Sequence, residues 1–178
     1  MRYLPLIFLL VFTLAAIFLR LLPHPANFAP IAALALFTGV YCVKFSKWWL
    51  LVPIAAMVVS DIFIGVYDLR IMAVVYGSFL IAGLVGVVVS KHKKVQSILL
   101  SSVLVSVIFY LTTNFAVWMF GTLYPLTFEG LISSYVMALP FFRNTFFGNL
   151  FYVSVFFGVY EFTVALLPSL KSAKVRTV

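Results

Sequence analysis

Apolar runs of about twenty residues recur along this chain, and each is long enough, as a helix, to cross a bilayer. Such runs leave few folds open. A backbone surrounded by lipid must satisfy its own polar groups, so closed helices or a closed barrel are the only spanning forms. The runs lack the strict alternation of barrel strands, which leaves helices. Composition agrees: 65% of the 178 residues are hydrophobic and only 9% charged. A soluble domain is typically about 25% charged. The expected fold class is therefore all-α, one polytopic membrane bundle of about six transmembrane helices over residues 1–178.

Spans are expected over residues 4–22, 31–43, 48–67, 71–90, 97–120 and 145–167. Three prolines in residues 23–30 (PHPANFAP) exclude a regular helix there, because each lacks an N–H and restricts its predecessor. Trp48 and Trp49 stand where interfacial anchors stand. Residues 130–142 are apolar but too short to cross, and are expected to lie at the interface or re-enter, ending near Pro140. Arg2 and the apolar run to Leu19 resemble a leader peptide, but no Ala-x-Ala-like site follows. An uncleaved first helix is expected.

The formal net charge of +8 reads as orientation rather than nucleic-acid binding, since the basic residues sit in loops and tails. With six spans, Arg2, Lys44, Lys47, Lys91, Lys93, Lys94, Lys171, Lys174 and Arg176 fall on the side of the termini. Arg20, Arg70 and Arg143 fall on the other, nine against three of the 12 Lys and Arg. The positive-inside rule then puts both termini in the cytoplasm, in a bacterial inner membrane.

In that frame the uncommon polar residues gather at the outer face. His24, Asn27 and Phe28 lie in the proline loop, and Asp61 in the outer part of span three. Asn114 and Trp118 lie in the outer half of span five, with Tyr124, Arg143 and Asn144 in or beside the third outer region. Ionisable residues at membrane depth are costly and usually face a cavity or the bundle interior. These nine are the candidate substrate-binding residues. In this reading Asp61, Asn114 and Arg143 orient polar groups, Trp118 and Tyr124 pack a flat part, and Phe28 with the proline loop closes over the ligand.

Each residue also has a plainer reading. Asp61 could cap a helix or pair with Arg70, and Asn114 could be an interhelical hydrogen bond. Trp118 and Tyr124 could belong to the aromatic belt. Glu161 lies away from the cluster, facing a partner or a lysine. Ala35 and Gly39, four apart, and Gly83 with Gly86 read as internal close packing before they read as a docking face. Cys42 is the single cysteine, so no intrachain disulfide can form. No Gly-rich phosphate loop, His-Glu-x-x-His or Gly-x-Ser-x-Gly is present, so neither catalysis nor a cofactor is expected. Asp61 with His24 is the one plausible catalytic pair.

The run PHPANFAPIAALALFTGVYCVKFSKWWLLVPIAAMVVSDIFIG is similar in layout to the substrate-binding S components of energy-coupling-factor vitamin transporters. A proline-rich outer loop leads into a short Ala/Gly helix, a basic turn, and a helix ending in an acidic residue. The chain more closely resembles a family of uncharacterised small bacterial membrane proteins. The shared features there are Asn27-Phe28-Ala29-Pro30, Ser60-Asp61, Asn114 with Trp118, and Pro140-Phe141-Phe142-Arg143-Asn144. The S-component resemblance implies six helices, a vitamin-sized substrate bound near the outer face, a transmembrane coupling subunit and two ATPases. That family carries an Ala-x-x-x-Ala docking motif in its first helix. Here span one has only the adjacent Ala15 and Ala16.

Overall fold

A computed structural model describes residues 3–175, with side chains as far as Leu167. The chain is all-helical over these residues. Arg2 and Arg176, and the side chains of Lys171 and Lys174, which entered the charge count, lie outside the described residues.

Helix α1 (Leu4–Leu21) carries Pro5 in its first turn, where a missing N–H costs nothing. Helix α2 (Ile31–Phe37) continues as a π-helical turn, Thr38–Cys42. A 3₁₀ turn, Lys47–Leu51, capped by the Ser46 hydroxyl, leads into α3 (Val52–Ile64). Helix α4 (Leu69–Val89) starts at Asp68, whose carboxylate accepts from the Arg70 and Ile71 amides. Then come α5 (Val95–Phe120), the short α6 (Phe128–Met137) and the long α7 (Leu139–Val175). Five segments are long and apolar enough to cross a membrane: Leu4–Leu21, Lys47–Ile64, Leu69–Val89, Val95–Phe120 and Leu139–Leu167.

The expected second span is the exception. Ile31–Cys42 is apolar but shorter than the other five. Every residue from Pro30 to Cys42 is buried, and α1, α3, α4, α5 and α7 all touch α2. A helix enclosed by protein has no lipid thickness to match. Five helices long enough to span therefore surround one short central helix. Two boundaries also move. Span three stops at Ile64 because Gly65 takes φ 114°, which other residues rarely adopt. Pro140 starts α7 rather than ending the preceding segment, since the second residue of a helix has no intrahelical N–H bond to lose.

Aromatic rings fill the centre between α1, α2 and α7. Phe12 stacks on Phe156 with centroids 4.0 Å apart, and Phe37 meets Phe12, Phe157 and Tyr160 edge-on. On the other side of α2 the contact is backbone on backbone. A Cβ at Gly39 would overlap the Gly83 carbonyl oxygen and sit 2.8 Å from the Val87 nitrogen, and one at Gly86 would lie 2.5 Å from the Leu36 carbonyl oxygen. The small residues of α2 and α4 are thus used internally, as close packing between helices requires. The outer surface is apolar: Ile7, Leu10, Leu14 and Phe18 along α1, and Phe147, Phe151 and Val155 along α7, are exposed. So continuous an apolar exterior suits lipid rather than water.

Gly39→Ala is expected to lower stability by about 1–3 kcal/mol, since α4 backbone cannot retreat from the added methyl. Gly77 has open space around its Cβ position, so Gly77→Ala should be neutral or slightly stabilising. Unfolding midpoints in detergent check both, and equal effects at the two sites would contradict the seam.

Candidate functional site

Helix α1 ends at the proline loop with Arg20 in its last turn. An arginine there needs partners, because an unpaired charge out of water costs several kcal/mol. Helix α3 supplies them. Arg20 Nη2 donates to Asp61 Oδ1 at 2.7 Å, and Nη1 donates to the Ser60 hydroxyl and the Met57 carbonyl. The Asp61 side chain is 3% exposed and that of Arg20 15%. From α4, the Tyr76 hydroxyl donates to the other Asp61 oxygen at 2.6 Å. One carboxylate so joins three helices. Arg70 pairs instead with Asp68 at 2.7 Å, and its hydrogen bond holds the Asp68 carboxyl down to about 2.

Beside this network lies a cavity of about 330 Å³. Arg20, His24, Asn27, Tyr67, Thr145 and Asn149 contribute its polar wall; Ile31, Met57, Val75, Phe79 and Phe109 are among its apolar residues. Gly65 makes Tyr67 available by ending α3 before it. Burial pushes the Tyr67 phenol up, and Asp61 adds to that while Arg20 opposes it. Asn27 reaches its place with φ 63°, in a tight turn where Phe28 N–H donates to the Pro25 carbonyl. Asparagine is among the few residues that tolerate that conformation. His24 has Nδ1 2.7 Å from the Leu22 carbonyl oxygen. A carbonyl only accepts, so Nδ1 carries the proton there. Asn149, buried in α7, donates through Nδ2 to Ser106 of α5 at 2.9 Å. A second cavity of about 190 Å³ contains Asn114, Thr113, Tyr110 and Phe142.

The expected site residues divide into three groups. His24 and Asn27 line the larger cavity, Asn114 and Asn27 the smaller. Asp61 stands directly behind Arg20. The remaining five line neither cavity. Phe28 packs on Phe151 and Tyr152 of α7, against Gly148, so it fastens the loop rather than covering the cavity. Asn144 does the same by donating to the Ala26 carbonyl at 3.1 Å. The Trp118 indole N–H donates to the Pro125 carbonyl at 3.0 Å and staples the segment after α5. Arg143 is exposed and Tyr124 half-buried. Arg20, Tyr67, Thr145 and Asn149 were not singled out from sequence. Asn149 carries the same signal as Asn114, an amide within an apolar span. Arg20 carried one too, as a lone charge at the end of one.

At the opposite end of α2, the Tyr41 hydroxyl donates to Glu161. The Lys93 ammonium sits over the Tyr41 ring, 4.7 Å from its centre. Burial lowers the Lys93 pKa, as does Lys44, with Glu161 opposing both. Cys42 is buried there, its thiol 3.7 Å from the Pro5 carbonyl oxygen. Glu161 thus faces a phenol and a nearby lysine.

The Arg20–Asp61 pair gives a direct prediction. Asp61→Ala strands a buried guanidinium and should destabilise the fold by about 3–5 kcal/mol. Arg20→Met with Asp61→Leu should recover most of that loss. Unfolding of the two single variants and the double variant is the check; strictly additive losses would show that the pair is not coupled.

No curated protein and no solved structure matches the sequence. One family's sequence profile covers residues 3–170, described as "Family of unknown function (DUF6580)". Spanning nearly the whole described bundle, both cavities included, that match makes the chain a member of family DUF6580.

Proposed function

We propose that this chain is a membrane-embedded uptake protein that binds a small vitamin-like molecule from the outer face of a bacterial inner membrane. Both termini are cytoplasmic, and transport is driven by a separate partner such as a transmembrane coupling subunit with its ATPases. The cavity of about 330 Å³ at the proline-loop end carries this reading. Its size falls in the range of small-molecule sites, and polar groups converge on it beside an apolar wall. Arg20, His24, Asn27 and Asn149 are the residues placed to meet the ligand, with Asp61 holding Arg20 in position.

One observation favours a second reading, a non-transporting scaffold of the envelope. Several polar side chains are spent on neighbouring helices. Asp61 joins three of them, Ser78 shares a hydrogen bond with Thr112 at 2.8 Å, and Asn149 reaches Ser106. A scaffold needs such bonds and has no use for the cavity. Native mass spectrometry of gently purified protein separates the two. Uptake predicts a retained small molecule, lost at least tenfold in Asn149→Leu, which keeps the side-chain shape but removes the amide from the cavity wall. A clean apo mass from freshly solubilised membranes would favour the scaffold.

Orientation has its own test. In a Cys42→Ser background, Ala26→Cys should react with a membrane-impermeant maleimide on intact cells, and Lys94→Cys only after lysis. The reverse pattern would overturn the assignment.

A further inference from the structure

The two cavities share Asn27, Val75, Phe109 and Thr145 as walls, so only that waist divides them. They differ in chemistry. The smaller compartment contains no charged residue and is rich in rings, with Phe109, Tyr110, Phe141 and Phe142 around it. Its hydroxyls have spent their donors on backbone carbonyls, Tyr110 on that of Tyr135. The Thr113 hydroxyl donates to the Phe109 carbonyl at 2.7 Å, and the Asn114 amide nitrogen to the Tyr110 carbonyl at 2.7 Å. Carbonyl partners only accept, so these roles are forced. At the waist, Thr145 donates to the Phe141 carbonyl at 3.0 Å. The hydroxyl oxygens of Thr113 and Thr145 are left as acceptors, and Asn114 keeps its Oδ1 and one N–H uncommitted.

The larger compartment holds the complementary group. Arg20 is the one Lys, Arg, Asp or Glu among the residues lining either cavity, and Asp61 cancels its charge. Its Nε–H and second Nη2 N–H have no partner among the described residues. They can donate to a neutral oxygen.

Taking the cavity as a ligand site, as the uptake reading does, we infer that the two cavities form one bipartite site for an elongated, uncharged aromatic molecule. Its N–H-bearing ring lies in the Thr113–Asn114 compartment, and a carbonyl or hydroxyl oxygen faces Arg20. Anionic ligands are disfavoured, since no uncompensated positive charge meets them.

Indole and its isostere benzofuran, which replaces N–H by an accepting oxygen, test the ring compartment. Binding is read by saturation-transfer NMR on the full chain in nanodiscs, with protein-free nanodiscs as the membrane-partition background. We expect indole to bind about tenfold more tightly than benzofuran. The near-isosteric Thr113→Val should shrink that ratio several-fold without unfolding the protein. Equal binding, preference for benzofuran, or binding of neither above background overturns the assignment. Indole-3-acetamide and indole-3-acetate test the other end, the amide being expected to bind at least tenfold more tightly. Stronger binding of the anion overturns it. A molecule retained in native mass spectra that is anionic or lacks N–H would remove this ligand class while leaving uptake standing. An apo mass would remove uptake itself.

Discussion

The enclosure of α2 sets the terms for everything around it. Each residue from Pro30 to Cys42 is buried, so this helix offers nothing to lipid and must be covered on all sides. Two kinds of contact do the covering. Phenylalanine and tyrosine rings interdigitate on the side of α1 and α7, while on the side of α4 glycines let the backbones touch. Without hydrophobic drive between helices in lipid, such packing and interhelical hydrogen bonds hold a bundle together. The Arg20–Asp61–Tyr76 network adds a directional tie between α1, α3 and α4 at one end, and Tyr41–Glu161 adds one between α2 and α7 at the other.

Hydropathy placed α1, α3, α4 and α5 to within a few residues, because a run of apolar side chains is a local signal; α7 begins at Leu139, ahead of the expected 145. It could not distinguish a lipid-facing helix from one wrapped in protein, which is why residues 31–43 read as an ordinary span. Proline was legible as a helix boundary at position 140, but which side of the boundary it marks depends on hydrogen bonds formed by the next segment. Gly65 was invisible for a similar reason: its role is a dihedral angle, and nothing local separates it from the glycines that lie within helices.

The candidate site was legible at the level of residue type and depth. His24, Asn27, Asp61 and Asn114 were found because polar groups are rare in such a chain. Pairing was not legible, since Arg20 and Asp61 are 41 positions apart and meet only through helix packing. Sequence proximity suggested Arg70 for Asp61, whereas Arg70 closes on Asp68, two residues away. Phe28, Trp118 and Asn144 lie at the correct end yet secure loops, which shows that depth alone does not separate a lining residue from a fastening one. Asn149 was missed because it resembles Asn144 in type and lies only a turn further into α7, where it faces Ser106 instead of the loop.

The cavity owes its existence to arrested length. At about 1.5 Å per residue, the helical stretch from Ile31 to Cys42 covers about 18 Å, against a hydrocarbon layer of about 30 Å. Its far end reaches the lysine-rich side, where Cys42 meets Pro5 and Tyr41 meets Lys93. The shortfall therefore accumulates at the other end, and the first two residues of α2, Ile31 and Ala32, are part of the cavity wall. The space comes not from small side chains in a complete bundle but from missing turns of its central column. Lengthening that column toward the proline loop would fill the chamber, so in this architecture the register at which one helix begins sets the volume of the cavity.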